Sequence, residues 1–444
     1  MRNRGNACRV VLPLYGDIPC ETREKFKFVT YFYVPLAWRS QYCGVFEYTH
    51  GGVKYYFLDN EYYFKRKGLY GFFDDGERFA FFSRALLEML SHIDFEPEII
   101  HCNDWQTALV PVYLDAIYRK DEKLQHVKTV FTIHNIQYQG QFDLNVVKDI
   151  LGLPEGTFGI VEYCGDANYM KGAIEQCDAL TTVSPTYASE LLDPWYAHKL
   201  DKLLALKSYK LRGILNGIDI KLHDPATDPR IAENYTPSDI SGKALCKKAL
   251  QQATGLDEDP GAMIIGMVSR LVGHKGMDLV QFAFSHMMKM HIQFVLLGSG
   301  DTQYENFFRG AADACPGRVW AHIGFDDALS AIIYSGADVL LMPSRSEPCG
   351  LSQMIAMRYG TPPIVRATGG LNDSVRDFGG ENGNGYNFLT YNADDMLGAV
   401  SRARGDFSNP DIWESHVQAA MKNDFSWGRS AAEYISLYRQ LLGR

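Results

Sequence analysis

The chain has 444 residues, 46% of them hydrophobic and 22% charged, with a formal net charge of −9. A length beyond what one hydrophobic core sustains predicts two domains, and the acidic balance excludes broad binding to nucleic acid or an anionic membrane, which needs a basic face. The nine cysteines include no Cys-x-x-Cys pair, which argues against a zinc site or a disulfide framework and fits a reducing cytoplasm.

No apolar run approaches the roughly 20 residues of a membrane span. The start, Met1-Arg2-Asn3-Arg4, is basic, but the apolar run after it is too short for a signal-peptide core, so a cytoplasmic protein with no membrane partner is expected. In chain order, the first β-branched run covers residues 9–14. Residues 26–58 are rich in Tyr, Phe and Val and hold the turn His50-Gly51-Gly52, which predicts a small β insertion. Runs at 98–101, 129–134, 179–183 and 213–215 each precede a turn and a helical pattern. Near 216–239 the loop Asn216-Gly217-Ile218-Asp219 leads into Asp224-Pro225 and Asp228-Pro229, which reads as a domain boundary. A second series of strands follows at 263–268, 294–297, 339–342 and 363–365. Continuous apolar strands alternating with helices predict parallel sheets covered on both faces. The fold class is therefore α/β with two doubly wound domains, whose ligands bind beyond the carboxyl ends of the strands. Apolar residues at 431, 434, 435, 438, 441 and 442 form a closing helical stripe.

The segment Ser269-Arg270-Leu271-Val272-Gly273-His274-Lys275-Gly276 joins the strand at 263–268 to a helical pattern. Arg270 and Lys275 thus fall on a strand-to-helix loop, where two cations can hold a diphosphate and stabilise its charge as a leaving group. Taken alone, they read more readily as solvated surface cations. Pro343-Ser344-Arg345-Ser346-Glu347-Pro348-Cys349-Gly350-Leu351 also follows a strand. Glu347-Pro348 sets a turn, and Cys349-Gly350-Leu351 opens a helix whose amides are unsatisfied. A fixed carboxylate beside free N–H donors suits neighbouring sugar hydroxyls; a helix-capping role for Glu347 is the plain alternative. In Arg366-Ala367-Thr368-Gly369-Gly370 the glycines let amides approach a phosphate, although such turns more often only reverse the chain. In the first half, His101-Cys102-Asn103-Asp104-Trp105 and Thr132-Ile133-His134-Asn135 end strands. His101 reads as structural, and His134 as the better cleft candidate. No Gly-x-Ser-x-Gly or His-Glu-x-x-His occurs. Gly298-Ser299-Gly300-Asp301 lacks the third glycine of a dinucleotide loop, so neither a metal nor a cofactor is expected.

Together with Arg9-Val10-Val11-Leu12-Pro13-Leu14-Tyr15, Asp74-Asp75-Gly76-Glu77-Arg78-Phe79, Thr182-Val183-Ser184-Pro185-Thr186-Tyr187 and Phe425-Ser426-Trp427, these segments closely resemble the glycogen synthase/starch synthase family over nearly the whole chain. The resemblance implies two facing Rossmann-like domains of the GT-B type. The first would span 1–215, carry the insertion 26–58 and be completed by a C-terminal helix at 427–444; the second would span 220–425. It further implies a retaining, metal-independent transfer of glucose from ADP-glucose, a substrate rather than a cofactor, to the non-reducing end of an α-1,4-glucan. On this resemblance Arg270 and Lys275 hold the donor diphosphate, and Glu347 with the amides of Cys349, Gly350 and Leu351 reads the glucosyl hydroxyls. His134 and Asn216 contact the glucosyl group, and Asp104 is a nearby carboxylate. Thr368, Gly369 and Gly370 lie under the distal phosphate, and Tyr334 near the nucleoside. The family pattern places a strand, a Lys-x-Gly-Gly-Leu loop and a helix ahead of the strand that begins here at Arg9. The first domain is therefore expected to lack them, and the alternative function is a glucan-binding homologue with impaired catalysis. His274, where Gln is frequent, and Ser346, where Phe is usual, bear on fine specificity rather than on the class.

Overall fold

The computed structural model describes residues 5–444, and the basic start at residues 1–4 lies outside the described residues. It resolves into two compact units. The first holds the chain up to Thr182, together with Ala188–Arg212 and Ala431–Arg444. Its strands β1 (Arg9–Pro13), β2 (Lys27–Leu36), β3 (Arg39–His50) and β4 (Val53–Asp59) form one sheet in the order β1-β4-β3-β2. β4 runs parallel to β1, from Arg9 opposite Lys54 to Pro13 opposite Leu58, and β3 is antiparallel to both of its neighbours. The segment expected as an insertion is thus continuous with the sheet that β1 begins. The cause lies in β4, where consecutive Tyr56, Phe57 and Leu58 are all buried, as in a strand covered on both faces. In β2, by contrast, Phe32, Val34 and Leu36 are buried while Tyr31 and Tyr33 are exposed, the alternation of a sheet with one wet face.

A second sheet of this unit contains β5 (Ile99–Asn103) and β6 (Lys128–Ile133). A ribbon of short strands follows: β7 (Gln141–Phe142), β8 (Glu162–Tyr163) and β9 (Asp166–Asn168). The chain then returns to the second sheet with β10 (Ala179–Thr182) and β11 (Leu211–Gly213), giving the order β11-β10-β6-β5. The closing helix, Trp427–Leu441, buries Tyr434, Ile435 and Leu437. Its Tyr438 hydroxyl lies 2.6 Å from Nδ1 of His101, whose Nε2 lies 2.5 Å from the Thr132 hydroxyl. A neutral imidazole has one donor and one acceptor nitrogen, so it can serve both hydroxyls. Desolvation pushes the His101 pKa down to about 4, which makes it the structural histidine its position suggests.

The second unit holds Val183–Tyr187 and Gly213–Ser430. Thr186 ties the short stretch to it, donating its amide and its hydroxyl to the Asp373 carboxylate at 2.9 and 2.6 Å. Six strands, β12 (Met263–Val268), β13 (Ile292–Gly298), β14 (Val319–Ile323), β15 (Val339–Met342), β16 (Pro363–Arg366) and β17 (Tyr386–Phe388), form a parallel sheet in the order β14-β13-β12-β15-β16-β17. The order reverses between β12 and β15, which pair through Ile265–Val339 and Gly266–Leu340. Loops leaving adjacent strands on opposite sides of such a switch point open a crevice at their carboxyl ends. One face of the sheet packs Met263, Phe294 and Leu341 against Phe284 and Phe308. On the other, Ile264 and Val295 meet Leu250 and Ile333. Lys243, buried on the helix Ser241–Thr254, places its ammonium 2.7–3.1 Å from the carbonyls of Ser335, Ala337 and Tyr359 and the Thr361 hydroxyl. It ties the turn before β15 to the turn before β16. Among the described residues no helix is long and apolar enough to cross a membrane.

Candidate active site

Both loops at the switch point begin where an apolar strand ends. After β12, Val272 and a short 3-10 turn at Gly273–Lys275 lead into the helix Met277–Met287. Gly276, at φ +79°, makes the junction, and a Cβ there would stand 2.1 Å from the Pro343 carbonyl oxygen. Only glycine permits that conformation and that approach. The Arg345 amide donates to the His274 carbonyl at 2.8 Å, which locks this loop to the one leaving β15.

That contact brings Lys275 to Glu347. The Lys275 ammonium lies 2.6 Å from Glu347 Oε2, which also accepts the Ser344 hydroxyl at 3.0 Å. Glu347 is 5% exposed, so the pair is shielded from bulk water, and its charge-assisted hydrogen bond fixes the position of both groups. Arg270 is exposed and has no counter-ion among the described residues. Burial first, and then the Lys275 and Arg270 cations, hold the His274 imidazole below its ordinary range, the signature of a locally positive loop. The amides of Cys349, Gly350 and Leu351 donate to no acceptor among the described residues. They precede the helix Ser352–Arg358, which starts later than the sequence suggested because Gly350 sits at φ +70° and interrupts helical geometry. Gln353 orients them, its amide donating to the Cys349 and Gly350 carbonyls at 3.1 and 2.9 Å.

The remaining second-unit candidates gather around this loop. The Asn216 amide points to the Cys349 sulfur, and burial pushes that thiol up to about 12, so it is no nucleophile at neutral pH. Thr368 is buried at the start of the helix Gly369–Ser374. The Gly370 amide is already engaged, donating to the Glu347 carbonyl at 3.0 Å. A Cβ on Gly370 would stand 2.1 Å from the Cys349 carbonyl oxygen, so this glycine serves the contact between two loops. Tyr334 is buried, with its ring 6.4 Å from and near-parallel to that of Tyr359. Its hydroxyl bonds to Ser352, directly behind Leu351. Gly298 and Gly300 allow the chain to pass under Ser269 and Leu271, where a Cβ would meet carbonyl oxygens at 1.9 and 2.3 Å. That packing explains the glycine pair without a dinucleotide. The assigned candidates omitted Ser344 and Arg366, whose guanidinium donates to the Ser344 carbonyl at 2.9 Å and to that of Arg345. Both residues stood in the quoted segments, but only the fold shows that they brace Glu347.

In the first unit, β5 and β6 end side by side, with Asn103 opposite Thr132. Asp104 follows at φ 56° and ψ 179°, a strained conformation for a residue with a Cβ. Its Oδ1 accepts the His134 amide at 2.8 Å, and the Asn135 amide also reaches the carboxylate. Desolvation nevertheless raises its pKa above the usual carboxylate range. The His134 Nε2 lies 3.0 Å from Asn103 Oδ1. His134 and Asp104 are therefore held together, and a strained backbone at a strand end is a recurrent mark of function.

Comparison with known proteins gives this geometry its context. Residues 1–206 match the starch synthase catalytic domain, and residues 249–406 match the glycosyl transferases group 1 domain. The chain is 46% identical over 446 residues to glycogen synthase of Anoxybacillus flavithermus, covering 100% of this chain and 92% of that one. It is 48% identical over 446 residues to glycogen synthase of Geobacillus thermodenitrificans, with the same coverage. Among solved structures, it superposes on the catalytic domain of starch synthase IV from Arabidopsis thaliana bound to ADP and acarbose with a TM-score of 0.90. That alignment has 33% identity and covers 100% of this chain and 94% of the other. The protein is an enzyme, a glycosyltransferase of the GT-B type. More narrowly, the chain belongs to the glycogen synthase/starch synthase family.

Proposed function

We propose that the protein transfers glucose from ADP-glucose to the non-reducing end of an α-1,4-glucan with retention of configuration. The observation that carries this reading is the group at the switch point: a free Arg270, the Lys275–Glu347 pair at 2.6 Å and the uncommitted amides of Cys349–Leu351. Arg270 and the remaining N–H bonds of Lys275 take the donor diphosphate and stabilise the charge it gains as the glucosyl bond breaks. The free Oε1 of Glu347 accepts sugar hydroxyls, and the neighbouring amides donate to them. The departing phosphate oxygen can itself accept the proton of the attacking hydroxyl, so alignment and charge stabilisation suffice without a dedicated base. His134 and Asn216 are assigned to the glucosyl group, with Asp104 as a nearby carboxylate, Thr368, Gly369 and Gly370 to the distal phosphate, and Tyr334 to the nucleoside side. ADP is favoured as the nucleotide because the superposed starch synthase IV domain carries it. Nine unpaired cysteines suit the cytoplasm as the place of action.

The test is incorporation of labelled glucose from ADP-glucose into glycogen, with UDP-glucose as competitor. Incorporation that excess UDP-glucose leaves intact is the expected result. Glycogen binding without incorporation would instead establish the impaired homologue.

A further inference from the structure

We infer that the exposed tyrosine face of the β2–β3 hairpin is a second binding surface for the glucan, separate from the residues assigned to the donor. The inference rests on the glucan being the acceptor. Tyr31 and Tyr33 project from β2, and Tyr42 stands opposite Tyr33 on β3. Their fractional exposures are 57%, 60% and 39%, yet the rings touch one another. Tyr31 and Tyr42 stack at 6.0 Å, and Tyr33 meets each of them edge-on at 6.4 Å.

The arrangement is built rather than incidental. Gly44, opposite Tyr31, has no side chain, and a Cβ there would come 2.7 Å from the Tyr42 hydroxyl oxygen. The Tyr42 ring therefore lies across the sheet over the space that glycine leaves. Asn60 holds this strand by donating to the Tyr42 carbonyl at 2.8 Å. Partial burial, and then the carboxylate of Asp59, the partner of Gly44 on β4, raise the pKa of the Tyr42 phenol. On the reverse of the hairpin Phe32, Val34, Cys43 and Val45 are buried, so the tyrosines face solvent.

The chemistry selects the occupant. A pyranose offers C–H faces of slight positive charge, which match the negative faces of aromatic rings. Its equatorial hydroxyls match phenol oxygens and a half-buried carboxylate. An anionic ligand is disfavoured because the charged group acting on the Tyr42 phenol is the Asp59 carboxylate. Pro35 on the edge strand β2 lacks the N–H that strand pairing with a second copy would use. A polymeric acceptor also makes a second contact useful, because each chain held on the hairpin raises the local concentration of chain ends.

The test compares the enzyme with its Tyr31→Ala/Tyr33→Ala variant in native gels containing glycogen, and in assays with glycogen or maltotetraose as acceptor. Retardation by glycogen should be lost and the KM for glycogen should rise on the order of tenfold, with kcat/KM for maltotetraose unchanged. A second variant, Gly44→Ala, keeps every ring but lifts that of Tyr42, and it should weaken retardation at an unchanged Tm. Unchanged retardation and KM in both variants would overturn the inference. So would a change from dimer to monomer in sedimentation, which would assign the face to a second copy. Retardation of a wild-type enzyme that elongates neither acceptor would refute the proposed activity but leave this surface standing.

Discussion

Of the two cations on the loop after β12, Lys275 has a counter-ion in Glu347 and Arg270 has none among the described residues. An exposed, unpaired guanidinium contributes little to the fold, so Arg270→Ala should leave the Tm within about 1 °C of wild type. It should lower turnover by about 10²–10³, the usual effect of removing one such donor. A well-folded variant with wild-type turnover would contradict this. Both cations, Glu347 and the amides beside it were legible in the sequence because each follows an apolar strand and precedes a helical pattern. Their bracing was not. Arg366 reaches the Ser344 carbonyl and Gln353 the Ser374 hydroxyl across more than 20 residues of chain, and the bond from Ser344 to Glu347 depends on the turn between them, so no local pattern announces these contacts.

At the scale of elements, the sequence marked β12, β13, β15 and β16 by their apolar runs but passed over β14 and β17. β14 is partly exposed over Trp320–Ile323, and β17 has only Tyr386–Phe388. Both are edge strands of the sheet, where burial on one side only weakens the apolar signal. Gly370 also serves a close approach between two loops. Gly370→Ala would drive a Cβ to 2.1 Å from the Cys349 carbonyl oxygen and push the Glu347 loop outward. Such overpacking costs about 1–3 kcal/mol. The predicted result is a lower Tm and a loss of turnover together, measured by calorimetry and glucose incorporation. Lys243→Met removes the donor for the carbonyls of Ser335, Ala337 and Tyr359 and for Thr361. The Ala337 and Tyr359 carbonyls keep the Thr361 and Tyr235 hydroxyls, and an unpaired Ser335 carbonyl costs ~1–3 kcal/mol, so urea unfolding of this variant should show a loss of that size, whereas an unchanged midpoint would show that the clamp is dispensable.

For the molecule as a whole, the α/β class and the pair of parallel-sheet units followed from alternating strands and helices, while the joining of residues 26–58 to the β1 sheet did not. Its richness in Tyr, Phe and Val and its His50-Gly51-Gly52 turn read as a small β insertion, because the parallel pairing of β4 with β1 is a long-range contact. Stability as a whole should fall in acid. His101 stays neutral in the fold down to about 4, whereas in the unfolded chain it takes up a proton near its ordinary pKa of about 6.5. The unfolded state therefore binds more protons between these values, and stability drops as the pH falls from about 6.5 towards 4, by up to about 3 kcal/mol. In His101→Gln much of that slope should vanish from chemical unfolding curves collected across this range. A slope identical to wild type would place its origin elsewhere.

The proposal that the second unit grips the donor by its diphosphate is tested most directly by calorimetric titration of ADP into the wild type and the Arg270→Ala/Lys275→Ala variant. Two charge-assisted contacts of roughly 1.5–3 kcal/mol each predict that the variant binds ADP on the order of 100-fold more weakly, or worse. Equal ADP affinity in the two proteins would contradict it.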